Sequence, residues 1–260
     1  MKYFLASKYR PALMAFAAER VLLAFDFDGT LAPIVFDPRA AAMRDTTRAL
    51  LKRVARRYPV VVLSGRSRQD LLPRLANIPL VEVVGNHGME WKDSVSPEAQ
   101  RLRRWVPKLV AALRGIEGAW VEDKGPSITV HYRGARHPAQ TERAVRRVLV
   151  KLHAPVRAMH GKCSVNIVPT HAPTKGTALQ RLIERHHVAS ALFAGDDVTD
   201  EDAFAVAGRE PVLTVRIRHS KKSKAEYFVK TQCEIDKVLQ LLLHARSGAD
   251  RSERRERRSA

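Results

Sequence analysis

Five short apolar runs punctuate the chain, and each stops against a polar residue or glycine. Val21-Leu22-Leu23-Ala24-Phe25 meets Asp26, Val60-Val61-Val62-Leu63 meets Ser64, and Val81 to Val84 meets Gly85-Asn86-His87. Ala191-Leu192-Phe193-Ala194 meets Gly195-Asp196, and Val212-Leu213-Thr214-Val215 is the fifth. Runs of this length and continuity mark parallel strands buried on both faces. A helical pattern fills 44–57, with Ala49, Leu50, Val54 and Ala55 as its apolar positions. Strand–helix–strand alternation predicts an α/β fold with a doubly wound parallel sheet. Such sheets bind ligands outside the carboxyl ends of their strands. The pattern alone therefore gathers Asp26, Ser64 and Asp196 at one edge.

The middle of the chain follows a different rule. Ile128-Thr129-Val130-His131-Tyr132 and Ser164-Val165-Asn166-Ile167-Val168 alternate, which predicts a sheet with one covered face. Helical patterns near 99–113 and 140–152 accompany them. The expected layout is a core over 1–93 and 170–246, with a small α+β cap inserted over 94–169. Segment 247–260 is rich in Arg and nearly devoid of apolar residues, and it is expected to be disordered.

Composition narrows the setting. No apolar run approaches the length of a membrane span, and Tyr9-Arg10-Pro11 interrupts any leader-like apolar stretch. Two cysteines are too few for a disulfide framework. These features predict a cytoplasmic protein with no membrane partner, and a monomer is favoured. Lys and Arg outnumber Asp and Glu by 46 to 27, a formal charge of +19 that attracts anions. The basic residues are scattered without interleaved aromatics, so a solvated basic surface is expected rather than a nucleic-acid site.

Against that basic background the acids stand out. Asp26-Phe27-Asp28-Gly29-Thr30 places two carboxylates one residue apart at a strand end. Asp26 can attack phosphorus while binding a hard cation, and Asp28 can protonate the leaving oxygen and later deprotonate water. Ser64-Gly65-Arg66 offers a hydroxyl and backbone N–H groups that can hold a phosphate. Lys175 opens a helical stretch, where a cation opposes the helix dipole unless an anion sits nearby. Gly195-Asp196-Asp197-Val198-Thr199-Asp200-Glu201-Asp202 puts five acids in eight positions. Like charges so close call for a bound cation, and Mg²⁺ favours carboxylates together with phosphate.

These four motifs, in this order, resemble the haloacid-dehalogenase-type phosphatases. Gly85-Asn86-His87-Gly88, His131-Tyr132-Arg133, Gly161-Lys162 and the 195–201 segment narrow the resemblance to the trehalose-6-phosphate phosphatase family. It implies a Rossmann-like core, and Mg²⁺-dependent hydrolysis of a small-molecule sugar phosphate through an aspartyl-phosphate, in trehalose biosynthesis. Asp26 would be the nucleophile and Asp28 the acid and base. Asp26, the Asp28 carbonyl and Asp196 would hold Mg²⁺. Ser64, Gly65 and Lys175 would hold phosphate, with Asp197 and Asp200 supporting. Arg66, His87, Lys124, Lys162 and Asn166 would contact substrate. The family usually carries Glu four residues after the Lys of the Gly-Lys motif, and here that place is Asn166. This departure keeps a sucrose-phosphate or mannosyl-3-phosphoglycerate substrate in view. A regulatory domain without activity, or a nucleic-acid-binding protein, are the readings from other classes.

Overall fold

The computed structural model describes residues 1–92, 101–151, 156–161, 163–208 and 211–259. Strands β1 (Lys2–Tyr3), β2 (Val21–Phe25), β3 (Val60–Leu63), β4 (Glu82–Val84), β9 (Ser190–Gly195), β10 (Val212–Ile217) and β11 (Tyr227–Val229) form one sheet. Its order is β1-β11-β10-β9-β2-β3-β4, and all six pairings are parallel. The chain runs outward from β2 through β3 to β4, then returns on the other side of β2 through β9, β10 and β11. The β2–β9 boundary is thus where the winding reverses, the place where such sheets open a crevice.

Both faces of this sheet are covered, which accounts for the unbroken apolar runs of β2 and β3 and the mainly apolar β9. Val21, Leu23 and Phe25 pack with α1 (Arg10–Ala18), α2 (Asp45–Ala55) and the start of α8 (Ile235–Ser259). Leu22 and Ala24 point the other way, onto α6 (Lys175–His186) and α7 (Glu201–Phe204). α3 (Arg68–Arg74) follows β3 and starts on Ser67, whose hydroxyl accepts the Asp70 N–H.

Between β4 and α6 lies a second sheet. β5 (Trp120–Asp123), β6 (Ile128–His131), β7 (Val156–Gly161) and β8 (Ser164–Pro169) are antiparallel in the order β5-β6-β8-β7. Ile128, Val130, Val165 and Ile167 pack on α4 (Val106–Ala112) and α5 (Pro138–Lys151). The alternate residues Thr129 and Asn166 face the core sheet's carboxyl edge and are also buried. Alternation here therefore separates an apolar interior from a polar cleft wall, and neither face is simply solvent.

One expectation is corrected. α8 continues through Ser259, so 247–259 is helical and not structureless. Its first turns are anchored by buried Ile235, Val238, Leu239 and Leu242. Arg, Glu and Ala are good helix formers and let a nucleated helix propagate. No helix among the described residues is long and apolar enough to cross a membrane.

Candidate active site

Asp26 follows the last residue of β2 and Asp196 follows β9, adjacent strands that bring the two carboxylates together. Lys175 is the first residue of α6, capped by Thr174. Its Nζ donates to Asp26 Oδ1 and to Asp200 Oδ1, each at 2.6 Å. All three side chains are buried. A lysine at a helix N-terminus does have its anion, and the anion is this pair of carboxylates. Asp200 is further fixed because its Oδ2 accepts the backbone N–H groups of Asp196 and Asp197 at 2.8 Å each. Gly195 makes this possible: a Cβ there would stand 2.4 Å from the Asp200 carboxylate carbon.

The charge at this centre is unbalanced. Asp26, Asp196 and Asp200 are buried and each offers an oxygen within 4.8 Å of the others. Burial pushes the Asp26 carboxyl well above its ordinary range; Lys175 opposes this, and Asp200 and Asp196 push it further up. An all-oxygen donor set short of positive charge fits a hard divalent cation. Asp200 spends both oxygens on Lys175 and on backbone, which leaves Asp26 and Asp196 better suited as ligands. Gly29 keeps room beside Asp196: it sits at φ +84°, and a Cβ would lie 2.4 Å from that carboxylate. Arg218, at φ 69°, donates to Asp196 Oδ2 at 3.3 Å.

Asp28 is held from the side. Arg66 Nε donates to its Oδ2 at 2.6 Å and Nη2 to its Oδ1 at 2.7 Å. Arg66 also bonds Asp70 and the Pro38 carbonyl. Burial works against the charged guanidinium, but these carboxylates outweigh it and hold Arg66 protonated.

Ser64 and Gly65 lie at the end of β3. Ser64 is buried and its Oγ accepts the Arg66 N–H at 3.2 Å, while Gly65 lines the cleft. Gly65 is packed on His87, since a Cβ would lie 2.4 Å from the imidazole Cε1. His87 adopts φ 57°, is buried, and has no hydrogen-bond partner at either ring nitrogen. Burial first, then Lys175, Lys124 and Arg157, push its pKa well below 6.5, so the ring is neutral.

The cap closes the cleft. Ser127 Oγ donates to Asn86 Oδ1 at 2.8 Å, and Lys124 Nζ donates to the Gly65 carbonyl at 3.3 Å. Burial lowers the Lys124 pKa although Glu122, 3.6 Å away, opposes the shift. Across β5, β6 and β8, Glu122, Thr129 and Asn166 are register partners in one row. Asn166 is 8 % exposed on an interior strand, and its Oδ1 accepts Thr129 Oγ1 at 2.6 Å. The cleft, about 710 Å³ and open to solvent on one side, is bordered by Asp26, Asp28, Lys175 and Asp196 on the core side and by Glu122, Lys124 and Asn166 on the cap side.

Of the residues named from sequence, Asp26, Asp28, Gly65, Arg66, His87, Lys124, Asn166, Lys175, Asp196 and Asp197 border this cleft. Ser64 and Asp200 lie just behind it, and Lys162 falls outside the described residues. Sequence reasoning missed Glu122, Trp120 and Arg218. The alternation Trp120-Val121-Glu122-Asp123-Lys124 carried the signal for the first two, since it puts Trp120, Glu122 and Lys124 on one face. Arg218 had no sequence signal, because its loop is positioned only by the β10–β11 pairing.

The family model for trehalose-phosphatase matches residues 24–233. A probable trehalose-phosphate phosphatase G of Arabidopsis thaliana is 29 % identical over 281 residues, covering 91 % of this chain and 74 % of that protein. A trehalose-phosphate phosphatase of Mycobacterium avium is 34 % identical over 212 residues; the alignment covers 75 % of this chain and 54 % of that longer protein. Among solved structures, the C-terminal domain of a C. albicans trehalose-6-phosphate phosphatase superposes with a TM-score of 0.77 at 26 % identity. That match covers 90 % of this chain and 96 % of that domain. A sucrose-phosphatase from Synechocystis shares the fold at 17 % identity and a TM-score of 0.57.

Proposed function

The chain belongs to the trehalose-phosphatase family, and from that premise we propose that it hydrolyses trehalose 6-phosphate to trehalose and phosphate. The observation that carries this reading is the cleft. One space joins a nucleophile-bearing strand end, a buried lysine and a polar cap wall.

The phosphate lies against Gly65 N–H and Lys175, with the Ser64 hydroxyl beside them. Asp26 attacks phosphorus through a carboxylate oxygen, and the bond from phosphorus to the sugar oxygen breaks. Asp28 gives that oxygen its proton. Asp28 then takes a proton from water, which attacks phosphorus, releases phosphate and restores Asp26. Mg²⁺ bound by Asp26, Asp196 and the Asp28 carbonyl would offset the charge of the carboxylates and the phosphoryl group. Asp200 keeps Lys175 in place and orders the 196–197 backbone through the bonds described above. Arg66 aims Asp28, and His87, Lys124 and Asn166 face the sugar, with Lys162 as a further sugar contact.

Substrate choice is tested with a panel of trehalose 6-phosphate, sucrose 6-phosphate and glucose 6-phosphate, assayed by phosphate release. The highest kcat/KM is expected on trehalose 6-phosphate. A higher value on sucrose 6-phosphate would assign the Asn166 cap to another sugar and overturn the reading.

A further inference from the structure

Large apolar side chains in water are individually ordinary, but a group of them lining a polar cleft asks for a ligand. Ile34, Phe36 and Trp120 are exposed, and all three border the cleft. Ile34 and Phe36 belong to the core segment after β2, whereas Trp120 opens β5 of the cap. Arg133 of the cap donates to the Val35 and Phe36 carbonyls at 3.2 and 3.4 Å, so the two walls are tied together.

Trp120 is held with unusual care for a residue 50 % exposed. Its indole stacks on the His131 ring, its cross-strand partner, with centroids 4.1 Å apart and planes 16° apart. His131 is fixed in turn by Glu122, Nε2 to Oε2 at 2.7 Å. The backbone leading into the strand is fixed as well. Gly118 sits at φ +76°, and a Cβ on it would lie 2.1 Å from the Gly134 backbone. Packing does not explain this bracing, because the indole lies outside the apolar cap cluster.

Among the residues bordering the cleft, Asp26 and Lys175 are buried, whereas Trp120 is half exposed and Phe36 is 81 % exposed. A sugar phosphate therefore enters phosphate first, and the ring farthest from phosphorus ends near the mouth. Sugar rings present a face of C–H groups with hydroxyls at the rim. That face removes apolar surface from water on a rigid indole, while the rim hydroxyls stay wet or reach polar neighbours.

We propose that Trp120, braced by His131, is a stacking platform for the second sugar ring, the one without phosphate, and that it sets a preference for disaccharide phosphates. This rests on the chain being a disaccharide-phosphate phosphatase. A monosaccharide phosphate lacks that second ring and gains nothing from the platform.

The test compares wild type, Trp120→Phe and Trp120→Ala on trehalose 6-phosphate and glucose 6-phosphate. The ratio of kcat/KM between the two substrates should fall about tenfold in Trp120→Ala, through KM, and Phe should restore part of it. Trehalose itself, titrated into wild type, should give a saturable change in tryptophan fluorescence that Trp120→Phe lacks. Trp91 is buried and Trp105 is packed in the cap cluster, so neither supplies that signal. Trp120→Phe keeps a ring, which covers the case where Trp120→Ala folds poorly. A wild type that prefers trehalose 6-phosphate, with an unchanged ratio in both variants, would overturn the platform and leave the phosphatase reading standing. A wild type with no preference between the two substrates would overturn the platform together with that reading.

Discussion

Arg66 grips Asp28 by both carboxylate oxygens, at 2.6 and 2.7 Å. The residue that should deliver a proton to the leaving sugar is therefore aimed by a rigid fork. One prong must open before that oxygen can serve the substrate. This has a kinetic signature. A sugar alkoxide leaves poorly without a proton, whereas p-nitrophenolate leaves readily. kcat/KM reports events up to leaving-group departure. Asp28→Asn should lower it by roughly 10²–10⁴ on trehalose 6-phosphate and far less on p-nitrophenyl phosphate. Equal losses on the two esters would remove Asp28 from the proton-transfer role.

The buried cluster of Asp26, Asp196 and Asp200 around a single lysine has a consequence for metal dependence. Exhaustive chelation with EDTA should abolish turnover, and Mg²⁺ should restore it. Mg²⁺ should also raise the melting temperature, because a ligand bound only by the folded chain stabilises it. That shift should disappear in Asp196→Asn. Full activity after chelation would contradict a metal-dependent site.

His87 gives a prediction about pH. Its pKa is lowered in the folded protein, chiefly by burial and then by Lys175, Lys124 and Arg157. Above the unfolded value, near 6.5, the ring is neutral in both states and contributes nothing. Below it, the unfolded chain takes up a proton that the folded chain refuses, so stability falls as pH falls. The slope from this one residue is at most about 1.4 kcal/mol per pH unit. Asn tolerates the left-handed backbone at this position. The drop in melting temperature between about pH 7.5 and 5.5 should accordingly be smaller in His87→Asn than in wild type. An identical drop would show that His87 accepts its proton freely.

The core was legible because its strands are buried on both faces. β2, β3 and β9 each leave an apolar run, and the chemistry follows directly at their ends. Asp26 and Asp196 could be placed together before any contact was known. β1 and β11 are two and three residues long, too short to write a pattern. β5 and β7 are cap edge strands with charged residues among the apolar ones, so the alternation in Trp120-Val121-Glu122-Asp123 is short and easily passed over. Asn166 was visible only as a departure from a family pattern. Its bond to Thr129 depends on the β6–β8 register, which the sequence does not write. The helical end of α8 was missed because lack of apolar residues signals lack of packing, and it leaves helix propensity untouched.

The central claim is that Asp26 becomes phosphorylated during hydrolysis of trehalose 6-phosphate. The direct measurement is acid quenching of the enzyme, within one turnover, after mixing with substrate radiolabelled in the phosphate, followed by peptide mapping. The account predicts label on the peptide that contains Asp26, released by hydroxylamine as an acyl phosphate should be, and no label in Asp26→Asn. Phosphate release at the full rate with no label ever attached to the chain would contradict it.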